Sequence, residues 1–595
     1  MRQDASEGQF HKDDIVTVTI EDIGTSGEGI GHADMSSSAA VPESGPAAAG
    51  HRRGFALFIK DAVPGDTVRA KIMKVKKGYG YARLLEVTEP SPFRVSAKCP
   101  AARPCGGCQI QELSYEQQLA YKFRKVREDL IRIGGFAPEL TDTVLQPIVG
   151  MEEPWRFRNK AQFPVGERDG RPIVGFYAGR THHIVPADDC MIGAPENAAI
   201  VRTVLEYMRC CHVSAYDEMT GEGLVRHILI RSGFLSGEIM VCLVINAARL
   251  PQEETLVRML RDVPLPAQQK KTPDTLQEDC PAAAERLDAE VRPPASRIVS
   301  ICLNSNCEKT NVVLGRRNRT LWGKDSIEDS LRILDVTEGS DSIGETAVSV
   351  GERFTVDERC TEGTENVSAA AGEKRPDVVF TESGRSVSFS ISPLSFYQVN
   401  PRQTERLYSL VRHYAGLNGR EVVWDLYCGV GTISCFLARD AKSVYGVEVI
   451  PDAIRDAREN ARRNGLTNVT FEVGKAEEVL PAFVQAGNRH VDVVVVDPPR
   501  RGCERTCLDT ILEAAPKRIV YVSCDPATLA RDLAVLTAGG YTVQAIRPVD
   551  MFPHSVHVET CVLLSNHNRK PDAVVRMSLD MDEYYRIVDE EDQGK

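Results

Sequence analysis

Val422-Val423-Trp424-Asp425-Leu426-Tyr427-Cys428-Gly429-Val430-Gly431-Thr432-Ile433-Ser434 reads as a strand that runs into a glycine turn and then into a helix. Its glycines let backbone amides approach a ligand at the strand's carboxyl end. Alone the turn is a weak signal, shared by many nucleotide sites. Ser443 to Val449 follows as a second strand, and its acid, Glu448, lies 23 residues after Asp425, a placement suited to ribose hydroxyls. The turn is not G-x-G-x-x-G, which disfavours NAD; S-adenosylmethionine fits better. Val491 to Asp497, followed by Pro498-Pro499-Arg500-Arg501-Gly502, supplies a fourth strand ending in an acid. Strands and helices alternate in this way over residues 385–565, as in a doubly wound, Rossmann-like parallel sheet, with order resuming at Ser388 after an insertion.

The fifth strand, Ile519 to Ser523, leads into Cys524-Asp525-Pro526-Ala527-Thr528. Asp525 is a good N-cap and Pro526 suits the first helical position, so Cys524 sits just before a helix N-terminus. The partial positive charge there favours thiolate over thiol. A lone cysteine is more often a buried structural residue. Here, however, strand ends in an open α/β sheet converge on one crevice, which brings Asp425, Glu448, Asp497 and Cys524 to one edge. Val556 to Leu564 is the last strand; run antiparallel, it begins at that same edge and brings Glu559 near Cys524. A solvated strand end is the commoner fate of a lone Glu. A thiolate and a carboxylate over a methyl-donor site instead suggest covalent catalysis with a general base.

The rest of the chain reads as two further domains, consistent with 595 residues being too many for one core. Residues 11–90 show short strands between glycine turns, an OB-like barrel with a flexible insertion at 33–50. In it Lys71, Lys74, Lys76, Lys77 and Arg83 interleave with Tyr79 and Tyr81. Such cations and rings serve phosphates and bases, although a solvated edge hairpin is equally well described by them. Residues 91–334 are mixed α/β, with a helix from Tyr115 to Ile133 and an insertion at 264–296. The net charge of −12 argues against nucleic-acid binding only until its distribution is considered. Residues 325–377 carry fourteen acids against five bases, and 580–592 carry seven acids. We therefore expect a disordered acidic insertion at 335–377 and an acidic tail at 566–595. With no signal peptide and no apolar run near the roughly 18 residues of a membrane span, a cytoplasmic, monomeric protein is expected.

In such a compartment the 17 cysteines are thiols and metal ligands rather than disulfides. Cys99, Cys105 and Cys108 have C-x5-C-x2-C spacing around a tight glycine turn, and Cys190 is the best fourth ligand in the same domain. A cubane iron–sulfur cluster suits four thiolates, and a structural zinc is its rival. Cys210 and Cys211 read as ordinary helix residues.

Taken together, these residues resemble the uracil-5-methyltransferases of structured RNA, in particular the bacterial enzymes acting on 23S ribosomal RNA. The resemblance covers Ile15 to about Ser565 apart from the insertions, and its nucleophile, base, cofactor and cluster motifs occur in the family's order. It implies an N-terminal TRAM barrel, a central α/β domain with a 4Fe–4S cluster on Cys99, Cys105, Cys108 and Cys190, and a C-terminal S-adenosylmethionine-dependent methyltransferase fold. It also implies that Cys524 is the nucleophile and Glu559 the base that removes the C5 proton. Gln398, Tyr427, Glu448 and Asp497 match cofactor contacts. Thr432 and Lys475 are carried over as cofactor contacts although certain members have Asn there. The run Pro154-Trp155-Arg156-Phe157-Arg158-Asn159-Lys160 is similar to part of the family's central domain, where Arg and Lys would hold RNA phosphate.

Three readings compete. The same chemistry on transfer RNA is the nearest. An amino-methyltransferase is suggested by Asp497-Pro498-Pro499, and Arg500 in place of an aromatic argues against it. A non-catalytic iron–sulfur RNA-binding protein is opposed by the intact Cys524 and Glu559.

Overall fold

The computed structural model describes residues 10–34, 54–179, 181–266, 295–310, 312–338, 378–485 and 491–566. The expected insertions at 33–50 and 264–296, and the acidic tail, therefore lie almost wholly outside the described residues. The first strands, β1 (Ile15–Ile23), β2 (Gly29–Ala33), β3 (Phe55–Lys60), β4 (Thr67–Lys76) and β5 (Tyr79–Glu89), close a barrel in the order β1-β2-β3-β5-β4. Alternation builds it: Val16, Val18 and Ile20 of β1 point inward and the residues between them outward. Strand β2 was not expected from its sequence. It carries Gly29 and Gly31 because β1 passes so close that a Cβ on Gly31 would lie 2.4 Å from the Thr19 carbonyl oxygen.

A second sheet comprises β6 (Lys160–Arg168), β7 (Arg171–Tyr177), β8 (Ile184–Pro186), β9 (Val225–Ser232), β10 (Glu238–Ile245), β11 (Arg297–Ser305) and β12 (Arg317–Gly323). Its order is β12-β11-β10-β9-β6-β7-β8, and the central β9 and β10 are buried along their whole length. The helix Asn197–Cys210 buries Ile200 and Val204 against it, and the helix Glu253–Arg261 buries Leu256 and Leu260. Cys210 and Cys211 end the first of these helices, as read from sequence.

The expected acidic insertion at 335–377 lies outside the described residues from 339 on. Its first residues, Asp335 to Glu338, belong to β13 (Ile327–Glu338), and β14 (Val378–Ile391) starts ahead of Ser388. The two strands form a hairpin with Leu331, Ile333, Val387 and Phe389 in the core. Acids here have partners: Asp335 pairs with Arg412 and Arg385, and Glu382 with Arg332. Composition alone cannot distinguish acids that repel from acids that are paired.

The last sheet contains β15 (Val422–Leu426), β16 (Ser443–Glu448), β17 (Val469–Val473), β18 (Val493–Val496), β19 (Arg518–Ser523), β20 (Tyr541–Val549) and β21 (Glu559–Asn566). Its order is β17-β16-β15-β18-β19-β21-β20, with β21 antiparallel to both neighbours. Strand β21 begins at Glu559, three residues later than its apolar pattern suggested. Val423, Val495 and Val520 pack on one face with Leu407 and Val411 of the helix Pro401–Ala415. Trp424, Val494 and Tyr521 pack on the other with Leu529 and Leu533 of the helix Pro526–Ala538. Val126 and Leu130, from the helix Tyr115–Arg132, join that second core. Among the described residues no helix is long and apolar enough to cross a membrane.

Candidate active site

At the carboxyl edge of the last sheet, β15 leads into a tight turn. Tyr427, Gly429 and Gly431 all take positive φ, and Gly431 N–H donates to the Cys428 carbonyl at 2.8 Å. The two glycines have different reasons. A Cβ on Gly431 would meet Phe471 and Ala457, whereas a Cβ on Gly429 would meet nothing within 4 Å. Gly429 thus faces open space, where a ligand can approach the backbone. Thr432 starts the following helix, and Tyr427 packs into the core beside it with its hydroxyl near Cys507.

Asp425 is fully buried, and Ser434 Oγ donates to its Oδ2 at 2.5 Å. Burial pushes its carboxyl up to about 7, with Glu448 adding to the rise. Glu448 ends β16, and its Oε1 accepts from Ile450 N–H at 3.0 Å. Lys475 stands at the end of the third strand, exposed, with its ammonium 3.8 Å from Glu478.

Cys524 and Glu559 meet as expected. Ser523 of β19 is paired with Thr560 of β21, so the residue leaving one strand lies beside the residue entering the other. Glu559 is buried, and burial with the Asp497 charge pushes its carboxyl up to about 8. Asp497 is itself raised to about 7 by burial and by Asp425. The Cys524 thiol does not follow the expectation of a favoured thiolate. Burial, then Glu559 and Asp497, push it up to about 12. Asp525 is the helix cap, as read, and it takes the first amides for itself: its Oδ1 accepts from Ala527 N–H at 3.0 Å and Thr528 N–H at 3.2 Å. What remains of the helix field is outweighed by burial and by the two nearby carboxyls.

The four predicted cysteine ligands come together. Cys99, Cys105, Cys108 and Cys190 line one cavity of about 340 Å³, although among the described residues no three metal-ligating side chains converge tightly enough to grip a single ion. Burial and mutual repulsion push the Cys108 thiol up to about 12. Arg158 and Lys160 line the same cavity. This corrects the reading of residues 154–160 as a phosphate contact. Arg156 is committed to Asp189, at 2.6 and 2.9 Å, and to the Cys190 carbonyl, while burial pulls Lys160 down to about 8. The run turns its cations toward the cysteines rather than outward.

A model of the TRAM domain matches residues 14–85, and a model described as tRNA (uracil-5-)-methyltransferase matches residues 377–567. An RNA methyltransferase of Halalkalibacterium halodurans is 41% identical over 562 residues, 94% of this chain and 99% of that protein. The chain belongs to the RNA uracil-5-methyltransferase family. An RNA methyltransferase of Clostridium acetobutylicum is 40% identical over 92% of this chain and 96% of its own length. Among solved structures, the tRNA (uracil-54, C5)-methyltransferase of Pyrococcus abyssi in complex with S-adenosyl-L-homocysteine superposes with a TM-score of 0.59. It covers 92% of this chain and 99% of its own at 23% identity, a likeness of fold.

Within this methyltransferase fold, two side chains take part that the sequence did not assign to the site, Tyr408 and Arg500. Tyr408, buried in the helix Pro401–Ala415, lies within electrostatic reach of Asp497, Glu559 and Asp425, and its hydroxyl is hydrogen-bonded with Gln398. Nothing in an amphipathic helix distinguishes such a tyrosine from a core one. Arg500 is the cation that opposes the rise of both Cys524 and Glu559. It was visible, since it follows directly on Asp497-Pro498-Pro499.

Proposed function

We propose that this chain methylates C5 of a uridine in 23S ribosomal RNA, through covalent addition of Cys524 and proton removal by Glu559. The observation that carries the chemistry is the thiol beside a buried carboxyl at the carboxyl edge of a methyltransferase sheet. S-adenosylmethionine, when bound, supplies an electrophilic methyl group. Gln398, Tyr427, Thr432, Glu448, Lys475 and Asp497 would hold it. The fit is supported by the open face of Gly429 and by Asp425 Oδ1, a buried acceptor with no hydrogen-bond partner among the described residues.

Uracil C5 is a poor nucleophile, and the chain's own residues change that. Cys524 loses its proton to solvent and forms a C–S bond at C6. The C5–C6 π electrons move toward O4, leaving C5 electron-rich and able to take the methyl group. Glu559 then accepts the C5 proton, the C5–C6 double bond re-forms, and the thiolate of Cys524 is expelled. Arg500 lowers the cost of negative charge on both groups. The base must leave its stack to reach this edge.

On this reading residues 11–90 are an RNA-binding barrel, 91–334 a central domain, and 385–565 the methyltransferase domain of a monomer. A 4Fe–4S cluster on Cys99, Cys105, Cys108 and Cys190 has no redox step in the scheme and would order the central domain. The cavity is wide enough for several atoms, and Arg158 and Lys160 suit an anionic cluster better than a neutral thiol set.

The same chemistry on transfer RNA is the second reading, because the matching family model is that of tRNA (uracil-5-)-methyltransferases and the Pyrococcus protein is a tRNA (uracil-54, C5)-methyltransferase. One comparison decides: methyl transfer to large-subunit ribosomal RNA against unmodified transfer RNA, each with its target uridine changed to cytidine as control. Methylation of ribosomal RNA lost in the cytidine control is the expected result. Methylation of transfer RNA alone overturns the substrate and leaves the chemistry standing.

A further inference from the structure

We propose that His554 is a positioning residue that ties the four-cysteine loop to Glu559, so that the loop's fold sets where the base sits. This rests on the reading of Glu559 as the base. His554 stands five residues before Glu559 and is buried, with φ of 65°. A non-glycine residue in that region persists only where its surroundings hold it.

They hold it on every side. Its carbonyl accepts from Gln109 N–H at 3.0 Å and Ile110 N–H at 3.2 Å, the two residues directly after Cys108. Its own N–H donates to Gln118 Oε1 at 2.9 Å, and Gln118 Nε2 lies 3.3 Å from Nδ1. Nε2 is 3.1 Å from the Pro154 carbonyl. With Nδ1 accepting from the amide and Nε2 donating to the carbonyl, both ring nitrogens are used by a neutral ring. Burial, which pulls His554 down to about 4, keeps it neutral.

The ring stacks on Trp155 at 3.9 Å between centroids, and Trp155, Cys108 and Cys190 all pack against the small core of Met151, Phe157 and Ile192. His554 and the cysteine cavity are thus linked through one shared core. Two residues on, Val556 packs with Ile110 and Leu113 of the cysteine loop and with Ile23 and Val63 of the barrel. On its other side Lys122 Nζ donates to Asp550 at 2.5 Å and to the Phe552 carbonyl at 2.9 Å, both partners of that ion pair being fully buried. Residues 550–557 thus have few ways to settle other than on the cysteine loop, and β21 starts where they end.

The test measures how the covalent intermediate partitions. Full-length protein is given RNA substrate and donor in a single turnover, and trapped protein–RNA complex is compared with released 5-methyluridine. His554→Asn suits the left-handed backbone at least as well as histidine, but its amide cannot reach both Gln118 and Pro154. His554→Gln can still donate to Pro154. We expect His554→Asn to slow release by roughly tenfold or more, with donor binding unchanged, and His554→Gln to stay near wild type. Cys108→Ser should shift the partition the same way and speed amide exchange at Gln109 and Ile110. An unchanged partition in His554→Asn or in Cys108→Ser overturns the coupling. So does loss of donor binding in His554→Asn, because the residue would then act on the whole fold. Glu559→Gln run alongside separates the two ideas: if it does not accumulate the complex, the reading of Glu559 as base fails first.

Discussion

Ser523 of β19 faces Thr560 of β21 across an antiparallel ladder, and this pairing leaves Cys524 beside Glu559. The other neighbour of the fifth strand, β18, runs parallel to it; had β21 done the same, its first residue would lie at the opposite edge and the thiol would not face Glu559. The reversal of one strand assembles the pair.

If Cys524 adds to C6, Cys524→Ala should lower methyl transfer by roughly four orders of magnitude or more while leaving donor affinity nearly unchanged. RNA carrying 5-fluorouracil should form a stable adduct with the native protein, because fluorine cannot leave as a proton does. The adduct is read as a denaturant-resistant band. Retained turnover in Cys524→Ala would sink the assignment.

Much of this site was legible in the sequence because it lies at strand ends. A β-prone run followed by Asp525 and Pro526 fixes where Cys524 sits, and the acids at 425, 448 and 497 follow from strand order. What was not legible depends on the third dimension. The thiol's environment is set by burial and then by Glu559 and Asp497, which arrive from two other strands, and together these outweigh the local helix field. Strand β2 was hidden because Gly29 and Gly31 answer to β1 packed against them, not to β propensity. The cations at 156–160 looked like a surface for phosphate, and only the fold turns them toward the cysteines.

Glu559→Gln should allow thiol addition and methyl transfer but stall before elimination. Covalent complex should then accumulate with natural RNA, without fluorine. Rapid release of methylated product from that variant would assign proton removal to another group.

Protonation sets a pH profile of defined sign. Glu559 must be ionised and is raised to about 8; Cys524 must be ionised and is raised to about 12. The rate of 5-methyluridine release should therefore climb from neutral pH through about 8 and keep climbing more gently above it. Stability of the protein without donor should run the other way. Glu559, Asp497 and Asp425 hold protons when folded at pH values where the unfolded chain has released them. Their contribution is full below the ordinary carboxylate range and is lost as pH rises through about 7 to 8. Denaturant midpoints at pH 5 and pH 9, or about those values, check this; equal midpoints would contradict it.

Protein purified without oxygen should be brown, with about four irons and four sulfides per chain, and Cys190→Ser should lose both. Stoichiometric zinc in a colourless protein would select the rival ligand. Arg158 and Lys160 would suit either centre, because zinc held by four thiolates is anionic too.

Which cations of the barrel are free to meet RNA decides how salt acts on binding. Lys74, Lys76, Lys77 and Arg83 are exposed on β4, β5 and the turn between them, next to Phe58, Tyr79 and Tyr81, whose rings lie 5.6 to 5.8 Å apart. Lys71 differs, because its ammonium is already 2.9 Å from Asp13. Affinity for a ribosomal RNA fragment should fall steeply with salt. Each lost phosphate contact should flatten the log–log slope by roughly 0.7 if the segment bound is single-stranded. Ala at 74, 76, 77 and 83 should each flatten it, whereas Lys71→Ala should change it least. All five together should weaken binding far more than they slow single-turnover methyl transfer at saturating RNA. A salt slope unmoved by the combined variant would place the RNA elsewhere on the protein.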